Sequence, residues 1–275
     1  MTNLYLSNLV KNFLNSYIHK QRGKWFIFLL NSKAVLKKSD ARFSYLKSRN
    51  LYSVGSIKPD DDRKLYFKHE LQGGLTYIEG IFKRGEYMGE IYFLNEICFI
   101  KNDIVIDCGA NLGDLYIWFQ NRSHDINYKP FEPAPEEFKC LKENIRPHKA
   151  NQVALFKENG IINFFVSSQN ADSSLVQPKY FTHTIKANTR KLESYIDNTI
   201  KLLKLEAEGC ELEVLIGAGQ KIKKIQYISA DLGPERGANN DSTFVSVKNY
   251  LISQNFEILK VNHQRHTVLF KNKSF

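Results

Sequence analysis

A chain of 275 residues that is 43% hydrophobic and 25% charged can bury a sizeable core, and it reads as one large domain or a domain with an N-terminal extension. Its cysteines, Cys98, Cys108, Cys140 and Cys210, form no CxxC pair and have no metal-ligand spacing with histidine; with no visible secretory signal, this fits reduced thiols in a cytoplasmic protein. The longest apolar run, residues 25–30, is far short of the roughly 20 residues that span a bilayer, and the net charge of +10 is unevenly placed.

Residues 1–50 hold seven lysines and three arginines against the single acid Asp40, a net +9. A basic excess confined to this segment points to a docking surface rather than a nucleic-acid-binding catalytic face. An anionic membrane, a lipid-linked or nucleotide-linked acceptor and an acidic partner are its candidate occupants, and a merely solvated basic face is the alternative. Leu6, Leu9, Val10, Phe13, Leu14, Tyr17 and Ile18 recur at helical spacing, predicting an amphipathic helix over residues 3–19. Such a helix packs on its own domain, lies on the inner face of a membrane or closes a homodimer. Arg22-Gly23 breaks the pattern, and periodicity leaves the type of residues 25–30 open. The polar, proline-bearing turn at residues 58–63 is the best candidate boundary in this region, and residues 1–75 are assigned to a basic, partly helical extension, with residues 76–275 as the main domain.

The remainder alternates. Short strands are expected at residues 65–68 and 76–78, then a helix from residue 86 and a first core strand at 104–107. Helix 112–120, strand 126–131, helix 135–145, strand 152–156 and a hairpin strand at 161–166 follow. Strand 200–205, helix 212–218, strand 225–230, helix 243–254 and a closing hairpin, 256–261 with 267–271, complete the chain. This pattern argues an α/β fold with a doubly wound, mostly parallel sheet.

The first core strand runs from Val105-Ile106-Asp107 into Cys108-Gly109-Ala110-Asn111-Leu112-Gly113-Asp114, a nucleotide-binding turn. Gly109 and Gly113 are two glycines where the dinucleotide fingerprint needs three to let a backbone approach a pyrophosphate. The turn suits a ligand with an amino-acid moiety and no phosphate, its carboxylate at the turn amides and its ammonium near Asp107. S-adenosylmethionine is such a ligand. About twenty residues on, Phe131-Glu132-Pro133 places an acid where a ribose diol would lie. The strand ends at Asp107, Glu132, Glu206 and Asp231 converge on the crevice, and four neighbouring carboxylates are costly unless something cationic or hydroxylic lies between them.

Together with Leu141-Lys142-Glu143-Asn144, Val153-Ala154-Leu155 and the run from Lys204-Leu205-Glu206-Ala207-Glu208-Gly209 to Ala218, these motifs resemble the FkbM family of S-adenosylmethionine-dependent methyltransferases from about Phe82 onward. The resemblance implies a class I methyltransferase fold, a seven-stranded sheet ending in an antiparallel hairpin, and O-methylation of a sugar or polyketide hydroxyl. It assigns Asp107, Gly109, Ala110, Asn111 and Gly113 to the methionine part of the cofactor, Glu132 to the ribose, and Gln152 and Val153 to the adenine. Ser173 and Ser174 fall beside the cofactor, in a Ser-rich lid. Asn111 and Asn144 as plain helix caps are the simpler alternative.

Methyl transfer from a sulfonium needs alignment and a proton acceptor. Glu206 and Glu208 follow a core strand and lie on opposite faces if it persists; most family members carry Asp at the position of Glu206. Either glutamate could act as general base on a sugar hydroxyl, or both could bind a divalent cation such as magnesium with Asp231, and the metal-free base is preferred. His183, Arg236, His263, Arg265 and His266 are basic groups suited to a phosphorylated or nucleotide-linked acceptor, with His183 counted among the catalytic candidates. The expected function is methyl transfer to an activated sugar or surface glycan in polysaccharide biosynthesis. An RNA methyltransferase and a non-catalytic protein retaining the fold are the alternatives.

Overall fold

The computed structural model describes residues 12, 14–68, 74–167 and 173–275, which divide into two compact units, Met1–Arg84 and Gly85–Phe275. Residues 12 and 14–19 are helical, and the rest of the helix expected over residues 3–19 lies outside the described residues.

In the first unit the apolar run that periodicity could not type belongs to helix α1 (Gly23–Leu36), because Phe26, Leu30 and Ala34 recur every fourth residue and are all buried. Three strands, β1 (Ala41–Leu46), β2 (Leu51–Ser56) and β3 (Lys64–Phe67), form an antiparallel meander. Ala41, Phe43, Tyr52, Ser53, Val54, Leu65 and Phe67 are its buried residues. Asn31 of α1 grips the β1 backbone: its Oδ1 accepts from the amide of Phe43 at 2.8 Å, and its Nδ2 donates to the carbonyl of Phe43 at 3.0 Å. The strand expected at residues 76–78 is instead the end of a helical stretch, 74–76, running into a turn at 77–79.

The second unit carries a six-stranded sheet in the order β13-β14-β10-β9-β4-β5, comprising β4 (Ile104–Cys108), β5 (Asn127–Phe131), β9 (Ile200–Leu205), β10 (Ile225–Asp231), β13 (Phe256–Asn262) and β14 (Thr267–Asn272). The four central strands are parallel, and the closing hairpin adds antiparallel to β10. The central strands read as near-continuous apolar runs because both faces are covered. On one face Ile106, Leu203, Leu205 and Ile228 pack with Val214 and Leu215 of α5 (Glu211–Ile216) and Val247 and Leu251 of α6 (Phe244–Ser253). On the other, Val105, Leu202 and Leu269 pack with Met88 and Ile91 of α2 (Ile81–Ile91), Leu115, Trp118 and Phe119 of α3 (Asp114–Asn121), and Leu141 of α4 (Pro135–Asn144).

The expected seventh strand is reduced to one parallel bridge, Phe131 to Asn151. The amide of Asn151 donates to the carbonyl of Pro130, and the amide of Glu132 to the carbonyl of Asn151, both at 3.0 Å. The ladder stops there in both directions. Pro130 has no N–H to continue it backward, and the amide of Ala134, which would continue it forward, donates instead to the side chain of Glu132 at 2.8 Å. The chain turns away into a second sheet, β6-β8-β7, formed by β6 (Ala154–Phe156), β7 (Gly160–Val166) and β8 (His183–Lys191), and after β10 a short antiparallel pair forms from β11 (Pro234–Arg236) and β12 (Asp241–Ser242).

Candidate active site

At the carboxyl end of β4 the chain reverses through Gly109, with φ of +72°, and a Cβ there would stand 1.9 Å from the carbonyl oxygen of Glu206. Only glycine allows this approach, which brings the turn after β4 onto the segment that follows β9. The turn amides are already committed. Those of Gly109 and Ala110 donate to the carbonyl of Phe131 at 3.1 and 3.0 Å, and that of Asn111 to Glu132 Oε2 at 2.8 Å. A ligand carboxylate held by these amides, as the turn alone suggested, therefore has no donors to meet at Gly109, Ala110 or Asn111. Asn111 instead offers an acceptor: it adopts a left-handed conformation at φ 48°, and its Oδ1 is buried with no hydrogen-bond partner. Asn144 donates to the carbonyl of Leu112 at 2.8 Å, tying α4 to the turn rather than capping its own helix.

Glu132, just past β5, is 7% exposed. Each of its oxygens accepts one backbone amide, Oε1 from Ala134 and Oε2 from Asn111, leaving further lone pairs for a ligand. Burial, reinforced by the neighbouring charge of Glu137, pushes its carboxyl up to about 8.

The cation that the acidic strand ends demand is supplied by the chain itself. Lys204, 2% exposed in the otherwise apolar β9, lies beside Asp107 in the β4–β9 register. Its Nζ is 3.2 Å from Asp107 Oδ1 and 2.8 Å from Glu206 Oε2, and it donates to the carbonyl of Gly109 at 2.6 Å. Burial opposes its charge, yet the two carboxylates overcome that and hold its pKa above the ordinary lysine value. Burial likewise raises Asp107 against the pull of Lys204, while the hydroxyl of Tyr128 bonds its second oxygen. Burial would raise Glu206 too, but Lys204 and the Tyr92 hydroxyl bring it below its usual range. Asp231, 3% exposed, is pushed up to about 6 by burial and by the charge of Glu206.

β9 ends at Leu205, so Glu206 and Glu208 are not alternate residues of a strand; they belong to a loop. Buried Glu211 organises that loop by accepting from the amides of Ala207 and Gly209, both at 3.0 Å, and from Thr243 Oγ1 at 2.8 Å. Glu208 takes a left-handed φ of 49°, and its carbonyl accepts from Ser174 Oγ at 2.7 Å. A non-glycine residue in this conformation is uncommon. Arg236 does not reach outward for a phosphate: its guanidinium makes a forked pair with Glu213 at 3.0 and 2.7 Å.

These elements line a partly open cleft at the carboxyl ends of the strands. It brings together Gly109, Asn111, Glu132, Val153, Ser173, Ser174, Glu206 and Glu208. Asp107, Ala110, Gly113 and Asp231 are not on its wall: Asp107 and Asp231 are buried at the strand ends, and Gly113 packs where a Cβ would meet Ile145 at 2.8 Å. Gln152 is exposed and off the cleft, since the chain leaves the main sheet at Asn151. His183 is exposed at the start of β8, and His263, Arg265 and His266 are exposed in the β13–β14 turn. The sequence pattern missed Lys204, which reads as an interruption of an apolar strand, and the apolar wall of Leu155, Phe164 and Leu175. Among the described residues no group of three or more His, Cys, Asp or Glu side chains is placed to hold a metal ion.

A family model described as the methyltransferase FkbM domain matches residues 107–258. "Methyltransferase 1" of Beauveria bassiana (strain ARSEF 2860) is 20% identical over 190 residues, covering 58% of this chain and 74% of that protein. Among solved structures, M. capricolum TrmK in complex with S-adenosyl-homocysteine is 10% identical with a TM-score of 0.36, covering 68% of each chain. The precorrin-6y C5,15-methyltransferase of Geobacter metallireducens is 9% identical with a TM-score of 0.39, covering 67% of this chain and 86% of its own.

Proposed function

Because this chain belongs to the FkbM methyltransferase family, whose model matches more than half of its length, we propose that it transfers a methyl group from S-adenosylmethionine to a hydroxyl of a sugar. The observation that carries the donor assignment is the pairing, in one cleft, of Glu132 with lone pairs to spare and Asn111 Oδ1 buried without a partner. A buried acceptor left unpaired costs about 1–3 kcal/mol, and a ligand ammonium would satisfy it. Glu132 would accept from the two ribose hydroxyls, and Val153, Leu155 and Phe164 give the apolar wall an adenine needs. Two carboxylates against one ammonium leave the group formed by Asp107, Lys204 and Glu206 net negative, complementary to a sulfonium.

The donor supplies an already activated methyl group, so the chain has to align the acceptor hydroxyl and take its proton. Glu206 is a poor proton acceptor because Lys204 stabilises its ionised form. Glu208 is the base of choice. It lines the donor cleft and also a neighbouring, wider one, so it stands where the two substrates meet.

Calorimetric titration with S-adenosylmethionine tests the donor assignment. Glu132→Gln replaces an acceptor oxygen by an amide that opposes one of the two backbone N–H groups, and affinity should fall about 30- to 150-fold, corresponding to about 2–3 kcal/mol for charge-assisted bonds. Ribose hydroxyls donate to the ionised carboxyl, whose value in the ligand-free protein is about 8. Donor affinity should therefore level off above pH 8 and weaken toward tenfold per unit below it. Absence of heat with folded protein, or affinity that is flat between pH 6 and 8, counts against this site.

We further propose that the first unit rests on an anionic lipid surface. Trp25, Phe28, Val35 and Leu36 of α1, spaced i, i+3, i+10 and i+11, are 50%, 57%, 70% and 84% exposed on one face, with the rings of Trp25 and Phe28 stacked at 5.2 Å. Exposed Lys24 and Lys38 and the +9 charge of residues 1–50 suit anionic headgroups. No helix among the described residues is long and apolar enough to cross a membrane. Flotation with phosphatidylglycerol–phosphatidylcholine vesicles should recover the protein, and Trp25→Ser with Phe28→Ser should reduce recovery about tenfold without changing its melting temperature. Equal recovery of both proteins would refute the contact.

A further inference from the structure

Beside the donor cleft lies a second, more open one, bounded by residues 178–182 before β8 and by the segment after β10. The two clefts share Glu208. We propose that this second cleft is the acceptor subsite and that it selects an uncharged pyranoside over an anionic one; the proposal rests on the methyl-transfer reading above.

The lining carries the argument. Tyr180 is 77% exposed, and Phe181 beside it is 40% exposed. Phe181 is held edge-on against Phe165, with centroids 5.1 Å apart and planes at 70°, so part of this platform is fixed before any ligand arrives. A pyranose ring turns a face of C–H groups to an aromatic plane and its hydroxyls to polar groups, and the lining holds both kinds, with Tyr180 and Phe181 beside Glu235 and Asn240.

Charge decides between acceptor classes. The ionisable side chains of the lining are Lys179, Tyr180, Glu208 and Glu235, and the two carboxylates outnumber the ammonium. The Nζ of Lys179 lies 5.3 Å from the ring centroid of Tyr180, so its charge is turned to the aromatic platform. A polyanion would need several cations here and meets two like charges instead. The basic excess of the chain lies in residues 1–50 and supplies none of this lining. Glu208 at the junction would meet the acceptor hydroxyl on one side and the donor methyl on the other.

Saturation-transfer NMR on the full chain, with methyl α-mannoside, α-rhamnoside and α-glucoside as neutral probes, tests the subsite. Methyl glucuronide and hexauridylate RNA serve as anionic comparators, and donor affinity is measured in parallel by calorimetry. At least one neutral glycoside should show transfer to its ring protons in the presence of S-adenosylhomocysteine. Tyr180→Ala should cut that signal at least tenfold while donor affinity stays within twofold. Glu235→Lys should raise glucuronide binding at least threefold. Unchanged transfer in Tyr180→Ala, stronger binding of the anions by the unmodified chain, or no transfer from any neutral glycoside despite intact donor binding would each overturn the subsite. Failure of the donor itself to bind would overturn the methyl-transfer reading instead, so the two are told apart.

Discussion

Lys204→Met is expected to lower folding stability by about 3–5 kcal/mol, the range for removing one partner of a buried ion pair. The methionine fills the space, but Asp107 and Glu206 then face each other with no cation between them. Asp107 is 1% exposed and cannot turn to water. The deficit should depend on pH with a definite sign. Without the ammonium, both carboxyls acquire folded-state values above their unfolded ones, so the folded variant binds protons that the unfolded chain has released. Its stability should recover as pH falls from 8 toward the ordinary carboxylate range near 4. Urea unfolding at pH 8 and pH 5 reads both quantities. Adding Asp107→Asn to the variant should return part of the loss, since it removes one stranded charge. If Lys204→Met melted at the same urea concentration as the unmodified chain, the ammonium would not be what makes the acidic strand ends tolerable.

Glu208→Gln is expected to lower kcat by about 10²- to 10⁴-fold, the usual worth of a positioned general base. Glutamine keeps nearly the same shape at φ 49°, and the bond from Ser174 Oγ goes to the backbone carbonyl of residue 208, so the loop geometry survives the change. Donor affinity should stay within about threefold, a difference under 1 kcal/mol. That split between kcat and donor binding separates a proton acceptor from a residue that only shapes the turn. Turnover within tenfold of the unmodified chain would assign Glu208 to loop architecture and reopen the choice of base.

The parts of the site that could be read from the sequence are those where backbone geometry admits few residue types. Gly109 must be glycine because its α-carbon abuts a neighbouring carbonyl, and Glu132 falls where two strands' carboxyl ends meet. The alternation of apolar strands and amphipathic helices likewise disclosed the doubly wound sheet. What stayed hidden depends on pairings distant in the chain. Lys204 reads locally as a charge interrupting an apolar strand, and only the β4–β9 register shows it lying against Asp107. Gln152, which the resemblance assigned to the adenine, lies off the cleft because pairing beside β5 stops at Asn151. β1 and β2 escaped notice because Arg42, Ser44, Ser53 and Ser56 dilute their apolar positions. The commitment of the turn amides to Phe131 and Glu132 is a tertiary fact with no local signature.

The lone bridge at Asn151 separates two roles that a continuous seventh strand would have fused. The parallel sheet holds the donor turn, Glu132 and the buried lysine, while the β6-β8-β7 sheet carries Phe164 and leads through residues 178–182 to the aromatic platform. Because residues 178–182 lie outside both sheets and off the donor cleft, exchanges there leave the larger sheet's registers untouched. A graft of residues 178–182 from a relative would therefore be expected to transplant its preference among acceptors while the affinity for the methyl donor carries over from the recipient.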